Sequence, residues 1–141
     1  MNRNQCLGEI AVGKLLFTLM LVLASTGALA EWTEVGRNHS SGMTQYADSA
    51  TIQKTGKMVK MWDLIDYKSV VVFSGNRFIS GKRQQEYDCG ENKIRVLAYT
   101  QFIEHMGNGK VVFSSNDPNK WESVVPESMG EALWKIACGK R

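Results

Sequence analysis

Between residues 31 and 121 the hydrophobic positions fall in short runs that alternate with polar positions and are separated by turn residues. Alternation with a period of two is typical of β-strands, because successive side chains point to opposite faces of a sheet. The last apolar segment, residues 127–138, has helical spacing instead. The pattern therefore predicts an α+β fold, an antiparallel sheet of about six strands with one C-terminal helix packed across it.

The longest predicted strand covers residues 57–70 and carries apolar side chains on both faces. Val59, Met61 and Ile65 share one face, and Trp62 and Leu64 share the other. The run at residues 93–105 is also apolar on both faces, and strict alternation divides it into Ile94, Val96, Ala98 and Phe102 against Leu97, Tyr99 and Ile103.

Shorter runs complete the predicted sheet, with strand character at residues 31–37, 43–48, 84–89 and 110–115. Two stretches interrupt it. The segment SATIQKTG, residues 49–56, is interpreted as a break. In SVVVFSGNRFISG, residues 70–73 have strand character, whereas the serines and glycines around them favour a long hairpin connection.

The predicted helix begins with a capping box, in which Ser128 caps the first turn and Glu131 occupies the third helical position. Its apolar face comprises Met129, Ala132, Leu133, Ile136 and Ala137. A helix of this length is about 18 Å long, so it covers two or three strands on one face only. We therefore expect the sheet either to curl on itself or to pair its second face with another copy of the chain.

Residues 1–30 resemble a secretory signal peptide. The apolar run Leu15–Ala24 follows Arg3 and Lys14, and Ala28-Leu29-Ala30 forms a small-x-small cleavage site. The run is about half the length of a membrane-spanning helix. We expect cleavage after Ala30, one domain over residues 31–141, and no stable membrane anchor after cleavage.

Charge argues against nucleic acid as a partner. Of the 17 Lys and Arg in the chain, Arg3 and Lys14 lie before the cleavage site, as does Glu9 among the 14 Asp and Glu, which leaves 15 against 13. A net charge of +2 without a clustered basic face is not typical of nucleic-acid binding. The pairs Lys82-Arg83 and Lys140-Arg141 are interpreted as solvated surface charge.

Removal of the signal peptide also removes Cys6 and leaves Cys89 and Cys138. An even number of cysteines in an exported chain favours a disulfide. Metal ligands and redox couples favour close spacing such as C-x-x-C, whereas these two are 49 positions apart (138 minus 89). The spacing therefore predicts a structural bond that ties the helix to the sheet.

The sequence contains few residues for catalysis. Its two histidines are His39, in a turn-like stretch, and His105, near a strand end. Ser114 and Ser115 lie in an ordinary strand, without the G-x-S-x-G motif of a hydrolase. Because Asp63 and Asp66 would point to opposite faces of a strand, they are poorly placed as an acid/base pair.

Soft-metal binding has a few candidate ligands, namely Met58, Met61, His105 and Met106. Met58 and Met61 would face opposite sides of one strand, and methionine more commonly fills gaps in a core. We therefore expect no metal and no cofactor. The triplet Asn38-His39-Ser40 has the form of a glycosylation site, but such triplets are frequent by chance.

Four stretches, taken in order, resemble the bacterial surface-adhesin protein E family. They are DYK at 66–68, QQEYDC at 84–89, HMGNGKVVFSSNDPNKW at 105–121 and GEALWKIAC at 130–138. The resemblance implies an antiparallel sheet with a C-terminal helix laid across it and the two cysteines joined. It also implies an exported protein of a Gram-negative bacterium, located in the periplasm, at the cell surface or secreted.

In this family, adhesion to host matrix proteins belongs to members displayed at the surface by a lipid anchor, and this chain lacks the anchor cysteine. Together with the resemblance, the sequence therefore predicts a non-catalytic binding module, adhesin-like in kind, whose protein partner is not identified and for which an envelope protein and a host matrix protein are the candidates. A small periplasmic enzyme and a soft-metal-handling protein are the alternatives. An enzyme would need His105 close to a carboxylate and a nucleophile, and a metal site would need His105 and two methionines to converge.

Overall fold

The computed structural model describes residues 30–140, so the predicted signal peptide lies outside the described residues apart from Ala30. The chain forms an antiparallel meander followed by one helix, as predicted. Six strands pair in sequence order, and a short seventh strand pairs with the fifth. The strands are β1 (Thr33–Asn38), β2 (Met43–Thr55), β3 (Met58–Phe73), β4 (Asn76–Asp88), β5 (Lys93–Phe102), β6 (Val111–Ser115) and β7 (Glu122–Ser123).

The helix, α1, spans Met129–Cys138 and is capped at both ends. The Ser128 side chain accepts a hydrogen bond from the Glu131 N–H at 3.1 Å, as the capping box predicts. The Glu131 carboxylate accepts a hydrogen bond from the Glu127 N–H at 2.9 Å. In a capping box the donor would be the next residue, Ser128. Gly139 ends the helix in the left-handed conformation, with φ of 66°, which glycine adopts without a steric penalty.

The main core lies between α1 and one face of the central strands. Leu133, Trp134 and Ala137 of the helix are buried, so Trp134, which is not part of the predicted apolar face, also lies inside the contact. They pack in one cluster with Ala47, Val59, Met61 and Tyr87 of β2, β3 and β4. The apolar face predicted for the helix therefore covers three strands.

A disulfide joins Cys138, the last residue of α1, to Cys89, directly after β4. The Trp134 Nε1 donates to the Asp88 carbonyl at 3.2 Å, next to the disulfide. The helix is thus fixed to the sheet by a covalent bond and by a buried hydrogen bond, as the cysteine spacing predicted.

The predicted break at residues 49–56 is wrong, because β2 continues to Thr55. The register with β3 shifts between Asp48 and Gln53, and side chains replace the missing backbone bonds there. Thr51 Oγ1 donates to the Asp48 carbonyl at 2.6 Å and accepts from the Trp62 N–H at 3.0 Å. A β-bulge of this kind lets polar residues sit within a continuous strand.

The long connection predicted around SVVVFSGNRFISG is also wrong. β3 runs on to Phe73, and Ser74 and Gly75 alone form the turn, both with positive φ (50° and 80°). Two-residue turns of this type match the twist of a hairpin. Ser69, Ser80 and Gly81 therefore belong to strands, and only Ser74 and Gly75 form the connection.

The second face of the sheet is partly covered by the connection between β5 and β6. A single 3₁₀ turn, His105–Gly107, folds over β3 and β4. The Ser80 hydroxyl is fully buried beneath it, donating to the Glu104 carbonyl at 2.5 Å and accepting from the Gly107 N–H at 2.9 Å. This turn covers part of the second face, which we expected a curled sheet or a second copy of the chain to cover.

Candidate functional site

Two polar centres lie on β3 and face opposite sides of the sheet. Asp63 and Asp66 stand in a stretch whose register with both neighbouring strands is continuous, so their side chains alternate as predicted. Each carboxylate binds its own set of partners. The two therefore cannot serve one reaction as an acid/base pair.

The Asp63 carboxylate is fully buried on the face that α1 covers, and both of its oxygens are hydrogen-bonded. Gln45 Nε2 donates to Oδ2 at 2.9 Å, and Gln85 Nε2 donates to Oδ1 at 2.7 Å. Arg83 donates to Oδ2 from Nε at 3.1 Å and from Nη2 at 2.5 Å. The buried charge is thus paired and hydrogen-bonded, as the burial of a carboxylate requires.

Arg83 keeps donor capacity beyond this ion pair. Within residues 30–140 its Nη1 donates to no side chain or carbonyl, and 21% of the side chain is exposed. Burial opposes the charge of the guanidinium, but Asp63 outweighs burial and raises the pKa of Arg83. Arg83 is therefore a charged donor fixed in position, and it is suited to an acceptor on another molecule.

Arg83 borders a cavity of about 430 Å³ on the α1 side of the sheet, next to the part that the helix covers. The cavity is lined by this one cation, by aromatic and aliphatic side chains, and at one end by the polar residues Ser115, Asp117 and Asn119. We call it the aromatic groove and define it by Ile65, Tyr67, Arg83, Val96, Tyr99 and Phe113.

A β-bulge in β5 brings Val96 and Tyr99 to the same side of the sheet. Gln84 pairs with Ala98 but Gln85 pairs with Val96, so one extra residue is inserted at Leu97. Strict alternation had predicted Val96 and Tyr99 on opposite faces, which is wrong. An extra residue in one strand reverses the direction of every side chain after it, and the residue pattern of β5 does not reveal it.

The Tyr99 ring packs directly on Gly81 of β4 within the groove. A Cβ at position 81 would lie 2.6 Å from Tyr99 Cε2, so only glycine leaves room for the ring. Burial raises the pKa of Tyr99, which keeps its hydroxyl protonated at neutral pH, and this hydroxyl accepts from Gln101 Nε2 at 3.2 Å. Phe113 tilts against the same ring, with the centroids 6.4 Å apart.

A second cavity of about 260 Å³ adjoins the groove and lies between the sheet and the start of α1. Arg83 and Val96 line both cavities. Gln45 and Gln85, the amides that hold Asp63, also line the second one. The Asp63 network therefore forms part of the wall between the two spaces.

The interpretation of Lys82-Arg83 as solvated surface charge is wrong for Arg83, which is ion-paired with a fully buried carboxylate. Lys82 is half-buried and lies over the Phe102 ring, 5.2 Å from its centroid. The sequence did contain a signal for the ion pair, because Asp63 occupies a position on the apolar face of the longest predicted strand. A carboxylate there requires a buried partner.

On the other face, His105 Nδ1 lies 2.9 Å from Asp66 Oδ2, and Asp66 Oδ1 accepts from the Met106 N–H at 2.7 Å. His105 thus has the carboxylate that a catalytic histidine needs. Ser80 is nearby, but its hydroxyl is fully buried and committed to backbone groups. A nucleophilic hydroxyl must be free to reach both a substrate and a base. The Ser80 hydroxyl is not free, because both of its hydrogen bonds go to backbone groups.

Ser114 and Ser115, which the sequence pattern placed in an ordinary strand, make local hydrogen bonds. Ser114 shares a hydrogen bond with Thr100 at 3.2 Å, and Ser115 accepts from the Asp117 N–H. His39 lies in the turn between β1 and β2 and borders a shallow cavity with Glu127 and Ser128. The structure does not bring these serines and His39 together with His105.

The candidate metal ligands do not converge. Met61 is fully buried in the core beneath α1, on the face opposite Asp66 and its partner His105. Met58 lies on β3 eight positions from Asp66 (58 to 66), which corresponds to about 27 Å along a strand. Within residues 30–140, no group of three or more His, Cys, Asp and Glu side chains is arranged to hold a metal ion.

The family model described as surface-adhesin protein E matches residues 32–139. No curated protein sequence matches the chain. In the described part of the chain, no helix has the length and hydrophobicity needed to cross a membrane.

Among solved structures, the chain is similar to protein E of Haemophilus influenzae. Crystal form II of that protein has a TM-score of 0.57 and 14% identity, over 78% of this chain and 97% of the other. Protein E from non-typeable Haemophilus influenzae has a TM-score of 0.56 and 14% identity, over 81% of this chain and 79% of the other. At this level of identity the likeness establishes the shared fold.

Proposed function

Because this chain belongs to the surface-adhesin protein E family, we propose that it is an exported, non-catalytic binding module that recognises a protein partner through the aromatic groove. Membership of the family makes it an adhesin-like surface protein in the broad sense. The proposal adds the location of the binding site and the absence of catalysis.

The composition of the groove is the observation that carries the proposal. Tyrosine, phenylalanine and arginine are enriched at the centres of protein interfaces, and Tyr67, Tyr99, Phe113 and Arg83 meet here. Hydrogen bonds and packing hold Arg83 and Tyr99 in place before any partner arrives. Side chains that are already ordered lose less conformational freedom on binding, which favours affinity.

Two features support a role without catalysis. The Asp66–His105 pair has no free nucleophile beside it among residues 30–140, as Ser80 is buried and bonded to the backbone. The groove lies on the opposite face of the sheet from this pair. A substrate bound in the groove would therefore not reach the histidine.

The proposed partner is a host matrix protein or another protein of the bacterial envelope. We propose that the chain is cleaved after Ala30 and then resides in the periplasm, at the cell surface or outside the cell. N-terminal sequencing of the exported protein should give Glu31 as its first residue. Protease treatment of intact cells would separate surface display, in which the protein is digested, from a periplasmic location, in which it is protected.

The test is a binding assay with residues 31–141, disulfide intact, against immobilised host matrix proteins and against solubilised envelope proteins. F113S removes a groove residue that is 41% exposed, so the fold should tolerate it, and V125S is the matched control because Val125 is 64% exposed outside the groove. We expect F113S to lose binding by on the order of tenfold, as for a central interface residue, and V125S to bind like the wild type. Equal binding by F113S and the wild type would place the site elsewhere.

The sequence predicted a second copy of the chain on the face of the sheet that α1 does not cover, and a second copy seated in the groove is a separate case. Light scattering on the wild type and on F113S distinguishes this case, because a dimer formed through the groove would dissociate in the variant. A monomer at every concentration would leave only a different protein as the partner.

A further inference from the structure

The hairpin formed by β3 and β4 projects beyond the rest of the sheet. Pairing of β3 with β2 ends at Tyr67, and pairing of β4 with β5 ends at Ser80. Past these points the two strands pair only with each other, as in Val72 with Arg77 and Phe73 with Asn76. We call residues 69–79 the projecting hairpin.

Its tip carries large apolar side chains in contact with water. Val70 is 49% exposed, Val72 is 62% exposed and Phe73 is 67% exposed. Val72 and Phe73 are neighbours in a strand, so they point to opposite faces of the hairpin. The tip is therefore apolar on both of its faces, whereas exposed apolar residues in most proteins are scattered singly.

The charge around the tip has one sign. No Asp or Glu occurs between Asp66 and Glu86, while Lys68 and Arg77 are both exposed on the hairpin. The next two cations along the chain, Lys82 and Arg83, are withdrawn into the sheet. An exposed apolar tip flanked by two cations complements a surface that is apolar inside and negatively charged outside.

We propose that the projecting hairpin inserts its tip into the interface of a membrane that contains anionic lipids. A flat protein surface would cover one face of the tip and leave either Val72 or Phe73 in water, but lipid surrounds an inserted tip on all sides. The distance from Val70 to Phe73 along the strand is about 10 Å, which matches the depth of the headgroup and acyl boundary. Lys68 then lies at the level of the lipid headgroups, and Arg77, which pairs with Val72 near the tip, extends its long side chain back toward the lipid phosphates.

Insertion ends at this interface and does not continue across the bilayer. The outer edges of a two-stranded hairpin carry backbone N–H and C=O groups without strand partners, and the hydrocarbon core cannot satisfy them. At the headgroup level, water and lipid phosphates can. The hairpin thus provides peripheral attachment, which is independent of the binding proposed for the aromatic groove.

The test is flotation of residues 31–141, disulfide intact, with vesicles of phosphatidylcholine alone and of phosphatidylcholine mixed with phosphatidylglycerol. We expect the wild type to float with the anionic vesicles and to be released by salt. V72S/F73S should remain in the soluble fraction. K68Q/R77Q should lose affinity for the anionic vesicles by on the order of tenfold, since each cation near an anionic surface contributes to attraction.

V111S/V125S is the matched control, because it removes two exposed valines outside the hairpin and should float like the wild type. Circular dichroism of each variant verifies the fold. Failure of the wild type to float with either vesicle would overturn the proposal, as would flotation of V72S/F73S at the level of the wild type. Neither result would change binding of a protein partner by the groove, which F113S tests separately.

Discussion

Arg83 donates to the fully buried Asp63 carboxylate from Nε at 3.1 Å, and the two residues are directly paired across β3 and β4. Their ion pair lies where the helix-covered core meets the aromatic groove. Asp63 fixes the guanidinium, and the guanidinium compensates the buried charge. Stability and the proposed binding site therefore depend on the same contact.

Removing Arg83 alone should destabilise the protein strongly. R83M leaves the Asp63 charge buried without its partner, and the loss of one member of such a pair costs about 3–5 kcal/mol. The double variant D63N/R83M removes both charges and keeps a side-chain oxygen as an acceptor for the buried amides of Gln45 and Gln85, so it should be clearly more stable than R83M. Urea unfolding of both variants at neutral pH measures the difference, and equal stabilities would mean that the uncompensated charge is not the cause.

Loss of the disulfide should separate α1 from the sheet before the sheet itself unfolds. Closing a loop between residues 89 and 138 stabilises the folded chain by about 4 kcal/mol on the loop-entropy model. The free energy of unfolding of C89S/C138S should therefore be lower than that of the wild type by about this amount, and the variant should unfold at a lower urea concentration. The near-ultraviolet circular dichroism should weaken at the same time, because Trp134 loses its buried position beside Asp88. Unchanged unfolding after complete reduction would contradict this role.

The sequence predicted those parts of the fold that depend on the pattern within one element or on the number and spacing of the cysteines. Ser128 and Glu131 indicated the helix start, and the positions of Cys89 and Cys138 indicated the bond that holds the helix. What could not be predicted depends on contacts between strands. The bulge at Leu97 decides that Val96 and Tyr99 share the groove, and it is defined by the register with β4 rather than by any residue of β5.

The same limit applies to Thr51 and Arg83. Thr51 reads as a turn residue until its hydroxyl is seen to replace a ladder bond to Trp62. Arg83 reads as surface charge until β4 is paired with β3 in the register that places it opposite Asp63. A polar residue within a strand lies either at the surface or in a buried polar contact, and the register with the partner strand determines which of the two it is.

Acid should weaken the turn after β4, which contains Cys89 of the disulfide. The N–H groups of Glu91 and Gly90 donate to Asp88 Oδ1, both at 2.9 Å, and they lower the pKa of Asp88 from its ordinary value of 3.8. A lowered pKa in the folded state contributes stability above the unfolded pKa, and this contribution is lost as pH falls through the folded pKa.

D88N keeps the side-chain oxygen that accepts both bonds but removes the charge. It should be less stable than the wild type at pH 7, and the difference should shrink as the pH falls below about 4. Unfolding free energies of the two proteins across this range provide the measurement. A difference that stays constant with pH would show that the charge of Asp88 does not stabilise the turn.

The 3₁₀ turn over the second face of the sheet should depend on the buried hydroxyl of Ser80. This hydroxyl donates to the Glu104 carbonyl and accepts from the Gly107 N–H, so S80A leaves two backbone groups without a partner beneath the turn. A buried polar group that loses its partner costs about 1–3 kcal/mol.

S114A is the matched control, because Ser114 is exposed and its single side-chain contact is to Thr100 at 3.2 Å. We expect S80A to unfold at clearly lower urea concentration, S114A to stay within about 0.5 kcal/mol of the wild type, and amide exchange at Met106 and Gly107 to accelerate only in S80A. If S80A and S114A were equally stable, Asp66 alone would hold the turn through His105 and the Met106 N–H.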